Sequence, residues 1–260
     1  MNSKHRFVIL AYKESEYLEE CIRSVVGQSV LNSVILATST NNDFIEKLAE
    51  KYNLEIKENL GPKGIANDFE FALSCAEDAQ YVTVAHQDDV YGRDYLENVA
   101  KRMTDESLIV FTDYAELKGA KAEKNNANLL IKRILLFPLK FDFFQDKKFF
   151  KRLSLAFGNP ICCPAVTYNM QKIPRPLFED GFGSNMDWAA WEKLSKIEGK
   201  FIYSNMPLML HRIHSDSTTS EFIMNDRRTS EDLKIFLRFW PFPVARLLSM
   251  IYKASEKNNG

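Results

Sequence analysis

The sequence is short of the features that mark several large classes of protein. It has four cysteines, Cys21, Cys75, Cys162 and Cys163, and none stands at a metal-ligand spacing from another. Cys162 and Cys163 are adjacent and do not suit a bridge to each other, so reduced thiols in a cytosolic chain are expected. No stretch approaches the ~18 apolar residues of a membrane span. The start, MNSKHRFVILAYKE, carries an apolar run too short for a signal peptide. Internal repeats and low-complexity tracts are lacking. There is no zinc-finger or RNA-binding signature, so nucleic acid is not expected as a partner. Net charge is also nearly absent, at -1 over 260 residues.

That small net charge hides an asymmetry. Residues 117–152 carry ten Lys/Arg against three Asp/Glu, and residues 227–260 carry seven against three. The two segments are +7 and +4, which leaves -12 on the remainder. One face is built to meet something anionic while another presents carboxylates. Hydrophobic residues make up 45% of the chain, ample for a packed core, and 260 residues suit one large domain or one and a half.

The first half alternates between two periodicities. RFVILA, SVILAT, LEIKEN, YVTVA and LIVFT read as strands. Between them, apolar residues recur at helical spacing: Leu18, Ile22, Val25 and Val26; Ile45, Leu48, Ala49 and Tyr52; Ile65, Phe69, Ala72, Leu73 and Ala76. Ser15 reads as the cap of the first helix. Asp43 with Glu46, and Asp94 with Glu97, read as capping pairs for later ones. Strand–helix alternation at this spacing predicts an α/β fold with a doubly wound, mostly parallel sheet and helices on both faces. Ligands bind such sheets beyond the carboxyl ends of the strands.

After residue 115 the rhythm changes. KGAKAEKNNAN reads as a polar loop. LLIKRILLFPLKFDFFQDKKFFKRL and IFLRFWPFPVARLLSMIYK interleave Leu and Phe with Lys and Arg. Such segments either pack as amphipathic helices on the core or lie on a membrane or lipid-linked substrate.

The stretch AHQDDVY sits where the apolar strand YVTV stops. Adjacent carboxylates repel, so Asp88 and Asp89 at a strand end call for a cation, unless they only cap a turn. Lys63, in GPKGIAND before a helix, is either a solvated turn lysine or a contact to phosphate at the helix start. Asp187 in NMDWAAWEKL stands at the first turn of a helix whose Trp188, Trp191 and Leu194 form an apolar stripe. It is a candidate general base as well as a helix cap. His211, Arg212 and His214 form a short cationic and imidazole cluster.

Taken in order, four of these segments resemble family 2 glycosyltransferases of GT-A fold. VILAYKESEYLEECIRSVVGQS is similar to that family's opening strand and acidic helix start. ENLGPKGIANDFEFALSCAEDAQYVTVAHQDDVY is similar to its glycine–asparagine helix and Asp-x-Asp strand end. NMDWAAWEKL and HRIHSDSTT resemble the Asp-Trp helix and Arg-x-His segment of its bacterial rhamnosyltransferase-like branch. The likeness spans roughly residues 6–220.

The resemblance implies a GT-A fold: a Rossmann-like, mostly parallel sheet with helices on both faces and a helical C-terminal extension. It divides the chain into a nucleotide-sugar-binding half (1–115), an acceptor-binding and catalytic half of the same domain (116–225) and an amphipathic helical extension (226–260). It implies a metal-dependent, inverting transfer of a hexose or deoxyhexose from a UDP- or dTDP-linked donor to a cell-surface glycan or lipid-linked acceptor. The place would be the cytoplasm, at the inner face of the cytoplasmic membrane. Ala11, Tyr12, Glu14, Thr38, Lys63, Asn67, His86, Gln87 and Arg212 would meet the nucleotide. Asp88, Asp89 and His214 would hold Mg2+ or Mn2+, and Asp187 would be the catalytic base.

Two positions depart from the family. His86 stands where an Asp is usual. The second strand ends LATSTNND, with Thr38 or Ser39 where the family has a base-reading Asp. These departures leave an alternative: a GT-A module of weakened catalysis that binds nucleotide or helps assemble a complex.

Overall fold

This computed structural model describes residues 4–214 and 227–257. Four strands form a parallel half-sheet: β1 (His5–Ala11), β2 (Ser33–Thr38), β3 (Glu55–Glu58) and β4 (Tyr81–His86), in the order β3-β2-β1-β4. They are connected through α1 (Leu18–Val26), α2 (Asp43–Tyr52) and α3 (Ile65–Ser74). β1 is buried along nearly its whole length, as a central parallel strand must be when helices cover both faces.

Three capping expectations are corrected. Asn42, not Asp43, caps α2: its side chain accepts the amides of Phe44 and Ile45. An amide oxygen on an extended residue reaches those N–H groups, whereas Asp43 is already inside the helix. The cap position of α1 is Tyr17, with no side-chain bond, and the Ser15 hydroxyl instead takes the Tyr17 amide. Asp94 does precede α4 (Tyr95–Arg102), but its carboxylate makes no capping bond.

The strand read in LIVFT is the start of β6 (Ser107–Lys118), and four further strands are ones that alternation alone did not reveal. β5 (Val90–Tyr91) precedes β6, and β7 (Lys121–Glu123), β8 (Val166–Asn169) and β9 (Lys200–Arg212) follow it. The sheet continues β4-β8-β6-β9-β5. β8 lies antiparallel between β4 and β6, and β9 runs parallel to β6. The presumed loop after residue 117 is a hairpin. Leu117 pairs with Ala122, and Gly119 makes the turn with φ 58°. The mixed Leu/Phe/Lys segment is broken into α5 (Ala127–Leu135), a 3-10 turn (Phe137–Lys140), α6 (Asp142–Gln145) and α7 (Lys148–Leu155), with Pro138 at the first break.

Two cores flank the sheet. On one face α1, α2 and α4 bury Ile22, Leu48 and Val99. On the other, α3 packs with α8 (Met186–Ser195), α9 (Arg227–Phe236) and α10 (Phe242–Lys257). Trp188 and Trp191 are fully buried there, each contributing about 5 kcal/mol of apolar burial. Trp188 meets Phe236 at 5.1 Å and Tyr252 at 5.8 Å, so the C-terminal helices share this core rather than trail from it. The boundary read at 225/226 and the end of HRIHSDSTT, residues 215–219, lie outside the described residues. No helix among the described residues is long and apolar enough to cross a membrane.

Candidate active site

Strand register assembles the site. β5 pairs with β9 so that Val90 faces Leu210 and Tyr91 faces Met209. The acidic link Asp88–Asp89 therefore meets the end of β9, 122 or more residues away in sequence. Asp89 is fully buried. Its Oδ1 accepts the Arg212 amide at 2.9 Å and lies 3.0 Å from His211 Nδ1. Asp88 Oδ2 lies 3.0 Å from His214 Nε2.

The pattern of satisfied and unsatisfied atoms fits a cation. Asp89 Oδ2 and His86 Nε2 are buried and have no hydrogen-bond partner among the described residues. His86 Nδ1 stands 3.8 Å from that same Oδ2. His86, Asp88 and Asp89 each offer a ligand atom, all within 4.8 Å of one another. Burial lowers the His86 pKa to about 4, so its imidazole is neutral and keeps a lone pair at physiological pH. His211 behaves oppositely. Burial opposes its charge, but the hydrogen-bonded Asp89 carboxylate and nearby Asp88 outweigh that and raise its pKa.

Arg212 holds this arrangement together. Its Nε donates to the Asp88 carbonyl at 2.9 Å and its Nη2 to Glu20 at 2.5 Å. The guanidinium lies 4.3 Å from the centre of the Tyr17 ring. Its planar fork is thus engaged with α1, the Asp88 turn and an aromatic face together.

The expected nucleotide residues fall in two places. Ala11 pairs with Thr38 at the ends of β1 and β2. Gln87 accepts the Tyr12 amide at 2.8 Å and donates back to the Tyr12 carbonyl at 3.1 Å, which ties β1 to the metal-site turn. The Tyr12 side chain stays half exposed, and Glu14 lies exposed in the same loop. Thr38 is buried, and its hydroxyl accepts the Thr40 amide. Lys63 and Asn67 sit apart, on a cleft of about 460 Å³ shared with Gly181–Gly183, Ser230 and Glu231.

A carboxylate does stand at the end of β2, although β2 does not supply it. Asp68, from the first turn of α3, accepts from Ser39 at 3.1 Å and from Asn59 at 2.9 Å. β2 itself ends in Thr38 without an acid, and the carboxylate beside it is brought in by α3.

Asp187 is the second residue of α8, one place past the helix start, so it is not the cap. Its Oδ1 accepts the Trp188 amide at 2.7 Å and its Oδ2 the Asn159 side chain at 2.8 Å. Burial raises its pKa, against the two hydrogen bonds that favour the charged form. Burial pushes up the thiols of Cys162 and Cys163, and the charges of Asp89 and Asp187 push them up further.

The start of α8 is fixed from α9. The Glu231 carboxylate accepts the amides of Gly183, Ser184 and Asn185 at 2.8, 3.0 and 3.1 Å. Asn185 also donates to Asp232 at 2.7 Å. Nothing in the local sequence pattern pointed to Asn159, Glu20 or Glu231, because each acts from a distant segment.

The glycosyl transferase family 2 profile matches residues 7–172, more than half of the chain. The chain belongs to glycosyl transferase family 2. No curated protein sequence matches it. Solved structures share the GT-A fold at low identity. One is S. aureus TarS 1–349, at 14% identity and TM-score 0.60, covering 91% of this chain and 70% of that one. Another is the mannosyltransferase PcManGT from Pyrobaculum calidifontis in complex with GDP-Man and Mn2+, at 15% identity and TM-score 0.60, covering 99% and 76%. A third is glucosyl-3-phosphoglycerate synthase from Mycobacterium tuberculosis with Mn2+, UDP-glucose and phosphoglyceric acid, at 12% identity and TM-score 0.60, covering 90% and 79%. Family membership and fold make this chain a glycosyltransferase by class, and the candidate site lies beyond the carboxyl end of β4, where open α/β sheets bind ligands.

Proposed function

We propose that this family 2 chain is a metal-dependent, inverting glycosyltransferase that uses a UDP- or dTDP-linked hexose or deoxyhexose. Its acceptor would be a lipid-linked or cell-surface glycan at the inner face of the cytoplasmic membrane. The observation that carries the reading is the buried Asp89 oxygen and His86 nitrogen, unpartnered among the described residues, beside Asp88 and His214 at the end of β4.

Asp88, Asp89 and His214 would hold the divalent cation, with His86 as a further donor. When bound, the cation supplies positive charge against the pyrophosphate leaving group. A site of mixed imidazole and carboxylate donors suits Mn2+ better than Mg2+, which prefers oxygen alone. Tyr12 offers a face for the base, and Asp68 offers the carboxylate that β2 lacks. Its two oxygens have about four lone-pair sites, so the bonds from Ser39 and Asn59 leave capacity for an N–H of the base. Asp187 takes the proton of the acceptor hydroxyl as that oxygen attacks the anomeric carbon. The nucleotide diphosphate departs from the opposite face, and the configuration inverts.

The buried, self-satisfied Thr38 hydroxyl favours a second reading, a binding module without turnover. Thermal shift with UDP, dTDP and GDP, each with and without Mn2+, separates the readings when paired with an assay of nucleotide-sugar hydrolysis. Stabilisation by UDP or dTDP only with Mn2+, together with slow hydrolysis of the donor, is the expected result. Stabilisation without hydrolysis would favour the module, and no stabilisation by any nucleotide would sink both.

The raised Asp187 pKa has a sign that can be checked. The base works when deprotonated, so kcat/KM should fall as pH drops through a value above the usual aspartate range. Asn159→Ala removes a hydrogen bond that favours the charged form, so its acid limb should move to still higher pH. A limb unmoved by Asn159→Ala would mean that another group sets it.

A further inference from the structure

α10 is apolar on two opposite sides. Its inner side, Ala245, Leu248 and Tyr252, packs on the core beneath α8. Its outer side presents Leu247, Met250 and Ile251, each about 60% exposed, at the i, i+3, i+4 spacing of one helical face. α5 repeats the pattern. It buries Leu129 and leaves Ile131 and Ile134 exposed. A surface helix of a soluble domain normally turns its polar side outward.

α5 and α10 approach each other through the inner side of α10. Gly158 sits between the helices, and a Cβ there would meet Tyr252 of α10 at 3.1 Å and Leu135 of α5 at 3.7 Å. Beyond α5 the face continues through a run of rings. Phe137 meets Phe141 at 5.5 Å, and Phe144 meets Phe150 at 4.0 Å. Lys140 stands over Phe137 and Lys147 over Phe143, so cations border the rings. Contiguous exposed apolar surface of this kind marks a docking site.

The charge on these segments selects the occupant. Of the cations in the +7 and +4 stretches, Lys151 is buried and Arg133, Arg152 and Arg238 pair with Asp113, Glu192 and Glu179, but Lys140, Lys147, Lys148 and Arg246 stand exposed on or beside the face. A second copy of the chain, paired across a two-fold axis, would bring the same cations face to face. An anionic lipid surface takes up apolar and aromatic side chains at the depth of the headgroups and pairs with Lys and Arg at their level.

We infer that α5, the 3-10 turn, α6 and α10 form one face that lies on an anionic bilayer. Lys132 of α5 donates to Tyr114 at 2.7 Å, and its charge acts on Asp187 and His211. A membrane under α5 would bring a lipid-linked hydroxyl toward Asp187 while the soluble nucleotide sugar enters at β1 and β4. This deepens the proposed function and rests on it only for the identity of the acceptor.

The test is co-sedimentation of the full chain with vesicles of equimolar phosphatidylcholine and phosphatidylglycerol, against vesicles of phosphatidylcholine alone. The variants are Leu247→Asn/Ile251→Asn and, independently, Ile131→Gln/Ile134→Gln. These side chains are exposed, so melting temperature and Mn2+-UDP binding should match wild type. Wild type should bind the anionic vesicles, prefer them over the neutral ones and be released by salt. Each double variant should lose roughly tenfold or more in partitioning. Wild type left in the supernatant at low salt, or variants that sediment like wild type, would overturn the inference. So would a dimer of wild type that the variants dissociate, since a second copy would then cover the face. Vesicle binding without any nucleotide binding would leave the surface standing and remove the transferase reading; the reverse would do the opposite.

Discussion

Asp187→Asn is expected to lose glycosyl transfer by about 10²–10⁴-fold, the usual contribution of a general base, with nucleotide affinity unchanged. The metal-type cluster and the Tyr12–Gln87 clamp belong to the first half of the chain and the end of β9. Asp187 comes from α8 and touches none of them; its partners are Trp188 and Asn159. It should therefore act in the transition state alone, lowering kcat and not donor affinity. A carboxamide keeps the oxygen that accepts from the Trp188 amide but cannot take a proton, so melting temperature should barely move. Turnover, UDP affinity and melting would be measured on the same preparation. Wild-type turnover in the mutant, or a large loss of melting temperature with turnover intact per folded molecule, would reduce Asp187 to a helix-start residue.

Glu231→Ala should be the most destabilising single change near the site, at about 3 kcal/mol or roughly 6–12 °C in melting temperature. One carboxylate accepts three successive backbone amides and the Ser184 hydroxyl. Removing it leaves three half-buried or buried amides, that of buried Asn185 among them, without this acceptor, and a buried donor left unpaired costs more than the bond itself was worth. Asn185, the last of those amides, stands two residues before Asp187, so the loss should reach the chemistry. Glu231→Gln, which keeps the shape and one accepting oxygen, should recover part of the stability and part of the turnover. If Glu231→Ala melts like wild type, the α9 carboxylate is not what fixes the start of α8.

The parallel half of the fold was legible because its physics is local. RFVILA and YVTVA are apolar runs of strand length, and the helices between them repeat every three to four residues. β8 and β9 were not legible. VTYN is too short for a period, and β9 changes neighbours along its length, with register shifts between Thr112 and Ala115 on its partner strand. Its burial pattern therefore has no single alternation. The caps show the same limit. Asp43 and Asn42 are both good caps, and only the backbone angles of Asn42 decided between them.

The site divides in the same way. His86, Gln87, Asp88 and Asp89 are consecutive, so one strand end announced them. His211 and His214 were suggestive as a cluster, but their partners were set by the β5–β9 register. Asp68, proposed above to meet the base, was hidden because the carboxylate at the end of β2 comes from α3, and no sequence pattern records which helix leans on which strand. Arg212 was expected at a phosphate, and the structure gives it Glu20, Tyr17 and the Asp88 carbonyl as neighbours.

The central claim is that the end of β4 binds a nucleotide diphosphate through a cation held by Asp88. Calorimetry with UDP and dTDP, on wild type and Asp88→Asn, with and without Mn2+, tests it most directly. The substitution removes charge and preserves shape, so the fold should survive. The account predicts binding to wild type only when Mn2+ is present, and none to Asp88→Asn under the same conditions. Nucleotide binding of equal strength in wild type and Asp88→Asn, or binding indifferent to Mn2+, would contradict it.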